Sequence, residues 1–198
     1  MNSIVAKIGV IAALLLALCS SPSCVTRPNL VIHQSDTLSV VLREMPSWRP
    51  SIEPHNHPYR VPSNVVLEIL ASLDYGEGSL LPFSQGQPRR VFSRGQAELL
   101  APELSMALGQ ALPQEVAAFS VADEDRPDRL TKGLSFVLGD ELHLIVDELR
   151  KPSYQGEQQP YQQPASRWEL IPGNKQRHYA TLPGGKGMTT NWIITPLR

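Results

Sequence analysis

A chain of 198 residues with a net charge of −1, 41% apolar and 19% charged residues has the size and composition of one globular domain. That balance excludes the basic surface a phosphate backbone needs. The tightest cationic group, Arg89, Arg90 and Arg94, is small enough to be a solvated helix entrance, so no nucleic-acid partner is expected. The two cysteines, Cys19 and Cys24, both lie in the first 24 residues, and a chain cut before Cys24 keeps no other thiol. A disulfide, a thiolate nucleophile and a cysteine-ligated metal are then excluded together.

The chain opens MNSIVAKIGVIAALLLALCSSPSC. One cation, Lys7, precedes an apolar run over residues 8–18, and small residues follow it. This is the pattern of an export signal, and the run is too short for a confident bilayer span. Losing this leader removes Lys7 and no acidic residue, which takes the net charge to −2.

Leu16-Ala17-Leu18-Cys19 and Ser21-Pro22-Ser23-Cys24 make the leader resemble the signal peptides of bacterial lipoproteins. Over these 24 residues the resemblance implies cleavage before a cysteine that then carries acyl chains. Cys24 has the small Ser23 before it, with Ser21 where that family usually has Leu. Cys19 has Leu16 in place but the bulky Leu18 beside the cut. Cys24 is the preferred lipidation site and Cys19 the alternative; an unlipidated leader is the third possibility. Several acyl chains hold a protein firmly, each buried methylene adding about 0.8 kcal/mol. Val25 rather than Asp follows Cys24, which by the same resemblance implies the periplasmic face of an outer membrane. The partners expected are thus the membrane, through the N-terminal lipid, and an envelope protein or glycan.

Beyond the leader, five prolines from Pro46 to Pro62 recur every four residues, which forbids a helix. The expected organisation is a signal peptide over 1–23, a lipidated cysteine and Pro-rich tether over 24–62, and one globular domain over 63–198. A short strand at residues 38–42 is expected to fold back on that domain. Residues 45–62 should be extended and largely solvated.

Val65, Val66, Ile69, Leu70 and Leu73 form one apolar stripe opposite Asn64, Glu68 and Ser72, predicting a helix over 64–73 capped by Ser63 or Asn64. Ser93 and Gln96 form a capping-box pattern opening a second helix, with Leu99, Leu100, Leu104, Ala107, Leu108 and Ala111 as its buried face. Pro102 should kink it or start a third helix. The period then becomes two. Residues 116–121 read as a strand, and residues 134–146 as a hairpin turning at Gly139-Asp140. Leu134, Phe136 and Leu138 share a face, as do Leu142, Leu144 and Val146, giving a sheet with a buried side and His143 pointing to solvent. Two short strands, 167–171 and 191–195, follow. The expected fold class is α+β: two or three helices packed on one face of a small antiparallel sheet, behind a Pro-rich N-terminal arm.

Motifs that could carry chemistry are incomplete. His55-Asn56-His57 puts two histidines on opposite sides of an extended chain, a poor chelate, and they read as solvated tether residues. Asp123-Glu124-Asp125 with Asp128 lacks the Gly and Glu of a calcium loop and reads as a polar turn, partly neutralised by Arg126 and Arg129. Gly184-Gly185-Lys186-Gly187 lacks the hydroxyl residue after its lysine that a phosphate loop needs, and reads as a turn. Nothing places a serine and a carboxylate beside His143 or His178. No metal or cofactor and no catalytic residue is expected. Trp168 and Trp192 read as core, while the Tyr/Gln/Pro loop carrying Tyr154 and Tyr161 is the candidate partner-contact surface. The function expected is a non-catalytic lipoprotein with a small binding or assembly domain. The alternative is an exported hydrolase or carbohydrate-active enzyme using two carboxylates distant in sequence.

Overall fold

A computed structural model of the protein describes residues 27–47, 54–77, 87–153 and 168–198. Ten strands and two longer helices alternate along it: β1 Leu30–Gln34, β2 Leu38–Glu44, α1 Ser63–Ala71, β3 Asp74–Glu77, β4 Arg89–Arg90, α2 Arg94–Gln110, β5 Glu115–Ala122, β6 Arg129–Leu138, β7 Glu141–Pro152, β8 Trp168–Ile171, β9 Arg177–Ala180 and β10 Met188–Pro196. Seven strands form one antiparallel sheet in the order β1-β2-β5-β6-β7-β10-β9, and β4-β3-β8 form a smaller one.

This overturns the expected α+β arrangement of helices on one face of a small sheet: the described residues are mostly β, with two α-helices among them. Two causes are visible. β1 and β2, from the segment expected to be mostly tether, are two full strands of the large sheet, β2 pairing with β5 in unbroken register from Leu38↔Val121 to Glu44↔Glu115. The second cause is parity. The turn at Gly139-Asp140 pairs Leu138 with Glu141, so Phe136 meets His143 and Leu134 meets Ile145. From Gly133 to the turn, even-numbered β6 residues therefore face odd-numbered β7 residues. The two leucine stripes fall on opposite faces, and the sheet is buried on both.

The first face packs against the helices. Leu38, Val40 and Leu42 of β2, Phe119 and Val121 of β5, Leu142, Leu144 and Val146 of β7 and Ile193 of β10 meet Val66, Ile69 and Leu70 of α1 and Leu100, Leu104 and Leu108 of α2, all buried in one cluster. At roughly 1.5–3 kcal/mol for each fully buried aliphatic side chain, this cluster is the main source of stability. α1 has the expected stripe, with Asn64, Glu68 and Ser72 exposed, but Pro62 occupies its N-cap and no side chain caps it. α2 has the expected capping box: Ser93 Oγ accepts from Gln96 N at 3.0 Å and Gln96 Oε1 accepts from Ser93 N at 2.8 Å. It runs through Pro102 as one helix rather than two, and Leu99, expected inside, is exposed.

Glycine is required at two sheet positions. Gly139 has φ +60°, and as the first residue of a two-residue turn it follows the primed-turn expectation. Gly133 lies opposite Phe119, and a Cβ there would overlap the Ile145 carbonyl and the Phe119 ring. The aromatic ring covers the bare backbone, a cross-strand pairing that replaces the missing side chain.

Candidate functional site

The second face of the large sheet is built differently. Val116, Leu134, Phe136, Ile145, Trp192 and Ile194 are buried there, with Met45, Ala118, Leu138 and Tyr179 packed at the margin. Onto this face the chain after Pro54 lays two imidazoles. His55 N donates to the Pro113 carbonyl at 2.8 Å and Asn56 N to the Val137 carbonyl at 2.9 Å, so the segment continues the hydrogen bonding of β6 beyond the start of β5. Asn56 Oδ1 accepts from Gly139 N at 2.6 Å, fastening the segment to the hairpin turn. His55 and His57 are thus 3% and 6% exposed, contrary to their reading as solvated tether residues.

His143 is also buried, 3% exposed, where the alternation pointed it to solvent. Its direction is the expected one, opposite Leu142 and Leu144; the surface it points to is covered. Phe136 stacks on His143 at 4.8 Å and meets His55 at 4.5 Å, His55 lies 5.5 Å from His57, and Trp192 stacks on Tyr179 at 3.9 Å. Trp192 is core, as expected, and Trp168 is half-buried against the helix-side cluster.

Each buried imidazole commits one nitrogen to a bond that selects a neutral tautomer. His55 Nδ1 donates to the Glu115 carbonyl at 3.1 Å, His57 Nε2 accepts from Val137 N at 3.0 Å, and His143 Nδ1 accepts from Trp192 Nε1 at 3.2 Å. The remaining nitrogens, His55 Nε2, His57 Nδ1 and His143 Nε2, are buried without a hydrogen-bond partner. A proton added to any ring would bring charge into a poorly solvated layer. Burial, with His55 as a secondary cause, holds His57 down at about 4; burial, with Arg177 and His55 behind it, holds His143 at about 4; His55 is lowered by burial. At neutral pH the layer is uncharged.

Beside it lies the one acidic residue buried among the described residues, Glu115. Arg27 grips it through two bonds, Nε to Oε1 at 2.7 Å and Nη2 to Oε2 at 2.6 Å; Nη2 also donates to the Gln110 carbonyl at 3.0 Å. Leu112 N adds a bond to Oε2 at 2.8 Å. Desolvation works against the anion, but Arg27 and the Leu112 N–H together hold its carboxyl below the usual range. A carboxylate so committed is a structural anchor rather than a free acid or base.

The other motifs resolve into turns. Asp123 Oδ1 accepts from the backbone N–H of Asp125 and Arg126, both at 3.1 Å, and Arg150, not the expected Arg126 or Arg129, pairs with Oδ2 at 3.1 Å. Glu124 accepts from Ser93 Oγ at 2.5 Å, at the start of α2. Gly184, Gly185 and Gly187 have φ of 76°, 77° and 70°, a tight connection into β10. His178 is half-buried on β9. Among the described residues no three His, Cys, Asp or Glu side chains are grouped to hold a metal ion, and no helix is long and apolar enough to cross a membrane. Cys19, Cys24, Tyr154 and Tyr161 lie outside the described residues. The histidine layer was missed by sequence reasoning, although the parity of the hairpin could have exposed it. Comparison with protein-family models, with curated proteins and with solved structures finds no match to this chain.

Proposed function

We propose that this protein is a cell-envelope lipoprotein, acylated at Cys24 and held on the periplasmic face of an outer membrane, whose β-rich domain binds or assembles with another envelope component without catalysing a reaction. The observation that carries the reading is the leader ending at Cys24, followed three residues later by Arg27, already locked into the fold through Glu115. Two features support a binding role. The buried histidines are packed as neutral rings, and the buried carboxylate is committed to an ion pair. The loop with Tyr154 and Tyr161 is the proposed contact surface, tyrosines offering rigid amphipathic area at small entropic cost.

Growth with an alkyne-bearing fatty acid tests the anchor. Wild type and Cys19→Ser should take the label and Cys24→Ser should not. A label that survives Cys24→Ser but not Cys19→Ser would move the anchor, and an unlabelled wild type would overturn the reading. Envelope crosslinking of wild type against Tyr154→Ala/Tyr161→Ala should show one discrete adduct that the double variant loses.

A further inference from the structure

We infer that the domain has no working tether and sits directly on the bilayer, with one particular end of the large sheet turned to the headgroups. The inference rests on acylation at Cys24 and goes beyond it. Three residue steps separate Cys24 from Arg27, a reach of at most about 11 Å even when fully extended. Arg27 is not a swinging arm. It makes three hydrogen bonds to Glu115 and Gln110, and Glu115 is 3% exposed and bonded in turn to Leu112 N. Residues expected as spacer are consumed by the fold: β1 and β2 enter the sheet, His55 is bonded to Pro113 and Glu115, and Asn56 and His57 are bonded to β6 and its turn.

The register says which end lies near the lipid. Leu30 pairs with Leu42, Glu44 with Glu115, Leu138 with Glu141, Pro196 with Glu141 and Ile194 with Arg177, so the starts of β1, β5, β7 and β9 and the finishes of β2, β6 and β10 share the Arg27 end. The β5–β6 turn, with Asp123, Glu124, Asp125 and Asp128, lies at the other end, about 25 Å away along eight strand residues. The acidic turn therefore points away from the membrane and into the compartment, where a partner can reach it.

The thiol-free mature chain allows a direct test. In the full-length protein, Glu44→Cys at the Arg27 end and Asp125→Cys at the acidic end, both exposed positions, each carry one fluorophore. The acylated proteins are reconstituted in phosphatidylethanolamine/phosphatidylglycerol vesicles containing a headgroup nitroxide lipid. Quenching should be severalfold stronger at position 44 than at 125. A flexible insert of twenty Gly/Ser residues between Thr26 and Arg27, adding an r.m.s. reach of about 25 Å, should erase the difference. Equal quenching at both positions in protein whose mass shows the acyl group on Cys24 would overturn the orientation alone, and a difference that survives the insert would overturn the claim that the short arm sets it. A mass without the acyl group on Cys24 would instead remove the lipoprotein reading on which the inference stands.

Discussion

The two faces of the large sheet reach the same degree of burial by different chemistry. The helix side is covered by aliphatic residues of α1 and α2, whose contribution does not depend on protonation. The other side is covered by rings, with His55, His57 and His143 placed among Phe136, Trp192 and Tyr179, and its stability is conditional on those imidazoles staying neutral. An apolar layer needs only shape, whereas a layer containing histidines couples its packing to pH.

The largest effect separating the faces should come from Trp192→Ala, which empties a site 1% exposed and strips His143 of its donor; about 3–5 kcal/mol should be lost in urea denaturation. Leu104→Ala on the helix side should cost a comparable 2–5 kcal/mol, or roughly that, but equally at every pH. Acid distinguishes them. His57 and His143 are both depressed from 6.5 to about 4, so between those values the unfolded chain binds protons that the folded chain refuses. Stability is therefore full above pH 6.5 and falls as the pH drops towards 4, by about 1.4 kcal/mol per pH unit for each ring. His143→Phe should remove one ring's share of that slope; an unchanged slope would mean that His143 is not the titrating group.

Smaller effects test the anchors. Arg27→Ala leaves Glu115 buried and unpaired, and because Arg27 is itself 30% exposed the loss should be about 2 kcal/mol rather than the 3–5 of a fully buried pair. Ser93→Ala, which deletes the N-cap of α2, should cost about 1 kcal/mol. Thermal melts that rank Ser93→Ala above Arg27→Ala would show the Glu115 anchor to be slack.

Much of the fold was legible where one signal acted alone. The Ser93/Gln96 capping box, the stripe of α1 and the β6–β7 hairpin follow from local spacing and reappear in the structure. The strand expected at residues 38–42 reappears as β2, but β1 was obscured because the prolines that follow suggested a tether, and a strand's worth comes from partners far along the chain rather than from its own residues. His143 shows the subtler failure. Alternation assigned its direction correctly, but burial depends on what covers that face, and the cover is supplied by residues 54–57, some eighty positions away and joined through Asn56 to the Val137 carbonyl. Leu99 is the converse: it was counted with the buried stripe, but at 3.6 residues per turn it falls on the side of α2 away from Ala97, Ala101, Leu104 and Leu108 and is exposed. Of the proposed site, Cys24 and the tyrosine loop rest on sequence pattern, while the Arg27 anchor needed the fold to bring together residues 88 positions apart.

Residue 24 decides whether the domain is anchored. The most direct test is the mass of the mature N-terminal peptide, isolated from the membranes of cells making the full chain. It should begin at Cys24 and carry a diacylglyceryl group. A mature N-terminus at any other residue, or one at Cys24 without lipid, would contradict the anchor at Cys24.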